Sequence, residues 1–296
     1  MSVRAGKIQS LAGIDLTGKT KEELHDLFIT ILNNGMHGLC FSPYEEGQGP
    51  GDQISEAQIR RRMEIIKPYT QWIRSFSCTD GNEAIPRIAH ENGIKTMVGA
   101  WLGDDPEINE REVAKLIELA NEGYVDIAAV GNEVMYRKDL TEDELLAFMH
   151  RVKDAIPDSI PVGYVDAYYE FSNRPRITEA CDVILANCYP FWEGCSIEYS
   201  FVYMKEMYNQ AVRAGNGKKV IISETGWPTQ GGNFEGSYPS FENALKYFVN
   251  TQRWSAEEDI EIFYFSSFDE SWKVGSEGDV GAFWGLWDKD ENLKKF

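Results

Sequence analysis

Two apolar runs in this chain end on a glutamate. Ile127-Ala-Ala-Val-Gly-Asn-Glu133 closes on one carboxylate and Val220-Ile-Ile-Ser-Glu224 on another. A continuous apolar run fits a parallel strand buried on both faces, so each carboxylate would stand where its strand leaves the sheet. Two carboxylates that share a pocket can divide acid and nucleophile roles when their surroundings push their pKa values apart. At an acetal carbon, one protonates the departing oxygen while the other attacks. A separation of roughly 5–5.5 Å gives retention of configuration, and a wider one gives inversion. The two glutamates stand 91 positions apart, so only closure of the fold can bring them together. A capping role explains Glu133 poorly, because Thr141 already opens the helix that follows.

The elements that must position them repeat as strand then helix. Strands are expected at Gly38–Phe41, Trp72–Phe76, Lys95–Ala100, Ile127–Glu133, Pro161–Val165, Val183–Tyr189, Val220–Glu224 and Glu261–Ser267. Amphipathic helices fit Ser55–Lys67, which stops at Pro68, and Asn109–Glu122, which stops at Gly123. Thr141-Glu-Asp-Glu144 reads as a capping box for Thr141–Ala155. Glu198–Ala214, Phe241–Ser255 and a short crossover near Arg176–Ala180 complete the set. Eight alternating units predict an α/β fold, a single (β/α)₈ TIM barrel over residues 1–296, with the site at the C-terminal strand ends. An open doubly wound sheet is the competing topology. Little chain follows the eighth strand, so the helix Lys21–Asn33 is expected to cover the last sector of the barrel.

Composition narrows the partners. The 48 acidic against 29 basic side chains leave a formal charge of -19, which disfavours nucleic acid and anionic membranes. No run reaches the ~18 apolar residues of a membrane span, and the N-terminal residues lack the apolar core of a signal peptide. The compartment stays open. Cys40, Cys78, Cys181, Cys188 and Cys195 are odd in number and show no metal or redox spacing. Buried free thiols are expected, with one bridge among the last three as the alternative. His25, His37, His90 and His150 are read as lying in or beside helices, without ligand spacing at strand ends. No metal or cofactor is expected, and a metal-dependent barrel hydrolase is disfavoured.

Four blocks then stand out in order. They are Val130-Gly-Asn-Glu-Val-Met-Tyr-Arg-Lys-Asp-Leu140, Ser223-Glu-Thr-Gly-Trp-Pro-Thr229, Asn233-Phe-Glu-Gly-Ser-Tyr-Pro239 and Phe268-Asp-Glu-Ser-Trp-Lys273. From about Gly38 to Lys295 the chain resembles glycoside hydrolase family 17, in particular its fungal and bacterial β-1,3-glucanases and β-1,3-glucanosyltransferases. The stretch Phe41–Pro50 resembles that branch more than the plant one. The resemblance implies a retaining enzyme on β-1,3-glucan, with Glu133 as acid/base and Glu224 as nucleophile; apart from it, a monomer is expected. It also implies Asn132 against a sugar 2-hydroxyl, Tyr189 on the nucleophile, and Glu270, Lys273 and Asp166 in the pocket. Arg74 could support the nucleophile or form a structural ion pair. Trp101, Trp192, Trp227 and Trp272 follow strands, and Trp192 and Trp227 are the expected stacking platforms for pyranose rings. Phe76 departs from the tyrosine of many relatives. Hydrolysis and glycosyl transfer share one covalent intermediate and stay undivided here. A non-catalytic glucan-binding protein is the remote alternative, disfavoured because both glutamates are present.

Overall fold

The computed structural model describes Gly13, Leu16 and residues 18–295, apart from the side chain of Ser276. Eight parallel strands close into a barrel in chain order. They are β1 (Met36–Cys40), β2 (Thr70–Ser75), β3 (Lys95–Ala100), β4 (Ile127–Asn132), β5 (Val162–Ala167), β6 (Val183–Asn187), β7 (Lys219–Thr225) and β8 (Ile262–Tyr264). Each matches an expected strand, although β6 and β8 end two or more residues sooner than their apolar runs and β1, β2 and β4 end one residue sooner. The residues beyond leave the ladder to build the mouth of the barrel.

Several helices begin where side chains can satisfy their first N–H groups. Ser55 and Thr141 make reciprocal capping boxes with Gln58 and Glu144. Asp105 caps a helix that starts at Pro106, earlier than the expected Asn109, because Pro suits the first helical position. Ala84–Glu91 is a further helix that the hydrophobic pattern did not single out; its one buried stripe is Ile85, Pro86, Ile88 and Ala89. Lys21–Asn33 buries Leu24, Phe28 and Leu32. Phe28 meets Phe248 of the helix Phe241–Glu258 edge-on at 5.0 Å, and Phe248 meets Tyr264 of β8 at 5.1 Å. The helix ahead of β1 therefore covers the sector after β8, which has no long helix of its own. All five cysteines are free thiols, and only Cys195 is part-exposed.

Register breaks fall at the mouth. The β4–β5 pairing shifts between Ala129 and Asn132, β6–β7 between Ala186 and Asn187, and β7–β8 between Ile222 and Thr225. A bulge re-aims the side chains beside it, and those breaks adjoin Asn132, Asn187 and Glu224.

Candidate active site

The turn that presents Glu133 departs from strand geometry one residue at a time. Gly131 has φ +85°, where a Cβ would also come within 2.9 Å of Val134. Glu133 itself is left-handed at φ 52°, a conformation that costs a non-glycine residue about 1–3 kcal/mol and clusters at functional sites. Just after β7, Gly226 passes so close to the chain leaving β8 that a Cβ would lie 2.1 Å from the Phe265 carbonyl. That close passage follows directly on Glu224.

Asn187, at the end of β6, joins the two glutamates. Its Nδ2 donates to Glu133 Oε1 at 2.9 Å and to Glu224 Oε1 at 3.1 Å. Ser223 Oγ donates to Asn187 Oδ1 at 2.8 Å, which keeps the amide nitrogen turned toward the carboxylates. Glu224 has two further donors: the Arg74 guanidinium forms a short ion pair with Oε1, and Tyr189 Oη donates to Oε2 at 2.6 Å. The other Arg74 branch donates to Asn132 Oδ1 at 2.6 Å. Arg74 is 1% exposed and lies over the Phe76 ring at 4.2 Å. It is therefore a support beneath the site and not a group that touches substrate.

Glu133 is the contrasting carboxyl. Burial, then the charge of Glu224, pushes its pKa up to about 7, with the Asn187 hydrogen bond pulling the other way. A carboxyl with that value holds its proton near neutrality, as a general acid must.

Two expected contacts need correction. Asp166 is 0% exposed, accepts from Tyr164 Oη and the Ala167 N–H, and is pushed up to about 6 by burial. Its oxygens face the protein, and it braces the turn from behind. Trp227 is 1% exposed, its indole N–H donates to the Tyr238 carbonyl at 3.1 Å, and its ring packs on Phe191 and Tyr247. It is core, packed directly after the tight passage at Gly226. Trp192 stays part-exposed against Phe191, Phe234 and Trp284. Trp227→Ala should therefore cost about 3–5 kcal/mol of stability. Trp192→Ala should leave the melting curve near wild type and cost about 1–3 kcal/mol in kcat/KM. Thermal unfolding beside kinetics on an oligosaccharide separates the two outcomes.

Glu270 is 6% exposed, and its Oε1 has no hydrogen-bond partner among the described residues. Lys273 Nζ lies 3.7 Å from Glu270 and 3.9 Å from Glu277, and 4.2 Å above the Phe265 ring. Glu277 belongs to this cluster and had no motif to announce it. Asn187 was also overlooked, although it sits at a strand end two residues before Tyr189, the same positional signal that singled out the glutamates. His37 proves to lie within β1, stacked on Trp72 at 5.7 Å, and not beside a helix. Among the described residues no group of three or more His, Cys, Asp or Glu is arranged to hold a metal ion.

Residues 38–285 match the model of the BtgE/BtgC glycoside hydrolase domain. The chain belongs to this family. A glucan 1,3-β-glucosidase of Saccharomyces cerevisiae is 28% identical over 272 residues, covering 81% of this chain and 84% of that protein. The family 17 β-1,3-glucanosyltransferase of Rhizomucor miehei superposes with a TM-score of 0.79 at 30% identity, over 88% of this chain and 96% of that one. An active-site mutant of that transferase, in complex with laminaritriose, gives 0.79 at 29% identity. The family match spans both glutamates and every strand from within β1 to β8, and this BtgE/BtgC-type chain is a glycoside hydrolase. No helix among its described residues is long and apolar enough to cross a membrane.

Proposed function

We propose that the protein cleaves β-1,3-glucosidic linkages in β-1,3-glucan with retention, Glu224 attacking the anomeric carbon and Glu133 acting as acid and then base. The observation that carries this reading is the single Asn187 nitrogen bonded to both carboxylates. Distances of 2.9 and 3.1 Å cap the separation of the two oxygens at their sum, which is below the ~6.5 Å where inverting pairs begin. A pair held this close supports the shorter spacing of retaining enzymes over the wider spacing of inverting ones. The division of roles follows from environment: three side chains donate to Glu224, while burial holds the proton on Glu133. The β-1,3-glucan substrate is supported by the yeast glucosidase and by the transferase bound to laminaritriose.

In the first half-reaction Glu224 forms an ester to the anomeric carbon as Glu133 gives its proton to the leaving oxygen. In the second, Glu133 takes a proton from the acceptor, whose oxygen displaces Glu224 and restores the β configuration. Asn132, held by Arg74, is placed to meet the 2-hydroxyl, a contact that tightens in the transition state. Proton NMR of the first-formed sugar tests the proposal. A β anomer is expected, and an α anomer overturns it.

A second reading, transfer of the glucosyl group to another sugar, is favoured by the R. miehei enzyme, whose chain is matched over 96% of its length. A product time course on a linear β-1,3-gluco-oligosaccharide distinguishes the two. Products longer than the substrate mark transfer, and shorter ones alone mark hydrolysis.

The pH dependence follows from Glu133. Its acidic form is the active one in the first half-reaction, and its pKa is raised to about 7. The proton is held below that value and lost above it, so kcat/KM on glucan should decline as pH rises through about 7, approaching tenfold per unit. A fall that begins near the ordinary glutamate value would contradict the buried, charge-coupled environment.

A further inference from the structure

The acid/base turn has little to hold it within its own sequence. Val134–Arg137 is a single helical turn with no side-chain cap, entered through left-handed Glu133 and left through left-handed Lys138 at φ 63°. From the β5 side, Tyr164 Oη accepts from the Met135 N–H at 2.9 Å and Asp166 from the Tyr136 N–H at 3.4 Å; toward the loop after β3, Arg137 spans the gap. Arg137 donates from Nη1 to the Asn132 carbonyl at 2.6 Å, from Nη2 to the Leu102 carbonyl at 3.0 Å, and from Nε to Asp139 at 2.7 Å. Its guanidinium also lies over Trp101, 4.5 Å from the ring centre.

The far end of that span is rigid. The Trp101 N–H donates to buried Glu112 at 3.0 Å, the Cys78 N–H donates to the same carboxylate at 2.8 Å, and Asn109 Oδ1 accepts from the Gly103 N–H at 2.8 Å. Leu102 is 0% exposed. The loop after β3 is thus a fixed post, and Arg137 ties the peptide immediately before Glu133 to it. A guanidinium suits the task because its planar fork bonds several carbonyls while its face stacks; an ammonium can do only part of this.

We propose that Arg137 is a positioning residue for the reaction, holding Glu133 at the proton-transfer distance by clamping the β4 turn to the loop after β3. The inference rests on the reading of Glu133 as acid/base. Arg137 touches neither substrate nor the reacting atoms, and it acts through the Asn132–Glu133 peptide. Its loss should therefore resemble a partial loss of Glu133, not a general loosening of the fold.

The test compares Arg137→Met, Arg137→Lys and Glu133→Ala on two substrates. One is a β-1,3-gluco-oligosaccharide, whose leaving group needs a proton; the other is an aryl β-glucoside, whose leaving group does not. For Arg137→Met, kcat on the oligosaccharide should fall about 10²-fold, the scale of a misplaced catalytic group, with KM nearly unchanged. The aryl glucoside should suffer about tenfold less, and added azide should speed its turnover, because azide displaces Glu224 from the intermediate without a base. Arg137→Lys, which keeps the charge and one carbonyl contact, should fall between wild type and Arg137→Met, and it stands in if Arg137→Met fails to fold.

Equal losses on both substrates without azide acceleration, or an unchanged kcat on the oligosaccharide, would overturn the proposal. The control assigns the failure. If Glu133→Ala shows the leaving-group dependence and the Arg137 variants do not, only the role of Arg137 falls. If Glu133→Ala lacks it too, the acid/base reading falls with it.

Discussion

Glu224→Ala should lose glucan turnover by about 10⁴-fold or more, the scale on which a missing nucleophile registers in other covalent enzymes. Azide should then restore cleavage of an activated β-glucoside as an α-glycosyl azide. The carboxylate stands 3.1 Å from Asn187 Nδ2 and 2.6 Å from the Tyr189 hydroxyl, and Arg74 pairs with it from beneath. Truncation opens a space lined by these donors, sized for a small anion, on the face opposite the leaving group. Azide attacking from there forms the C–N bond as the aryl C–O bond breaks, which is one displacement and one inversion. Glu133→Ala should behave oppositely. Loss of general acid catalysis should cost about 10²–10⁴-fold on glucan, but Glu224 still forms its ester with an activated substrate. Azide then displaces the ester from the other face, giving the β-glycosyl azide after two inversions. NMR of the anomeric proton reads the difference. Interchanged configurations would exchange the roles of the two glutamates.

Arg74→Met should be the most destabilising single change in the site that leaves both glutamates in place. Arg74 and Glu224 are 1% and 6% exposed, so removing the cation strands a buried carboxylate. Breaking such a pair from one side costs about 3–5 kcal/mol, or about 5–8 °C in melting temperature for a chain of 296 residues. Turnover should fall as well, since the same guanidinium orients Asn132. The double variant Arg74→Met with Glu224→Gln removes the stranded charge and should recover most of the stability while restoring no activity. A melting temperature near wild type for Arg74→Met would mean that the pair does not carry this load.

The corrections share a cause. Trp227 and Trp192 both follow strands and look equivalent along the chain, yet one is core and the other lies open at the mouth. Trp227 follows Gly226, where the chain just after β7 runs against the Phe265 carbonyl just beyond β8. Asp166 ends its apolar run much as Glu224 does, but Tyr164, two residues earlier on the same strand, reaches it with a hydroxyl and turns its oxygens inward. Whether a strand-end carboxylate faces solvent depends on neighbours that come from other strands or from the pleat.

The sequence by itself determined the eight-unit α/β barrel, the capping box at Thr141, the covering helix ahead of β1 and the two glutamates at strand ends. Each of these depends on hydrophobic period, cap chemistry or position relative to a strand, all of which are local properties. Only the tertiary structure decided the carboxylate spacing, the raised pKa of Glu133, and the Asn187 and Arg137 contacts. These arise from residues as much as 91 positions apart brought together by closure of the barrel. Burial and charge coupling are sums over such neighbours, so no run of residues along one strand contains them.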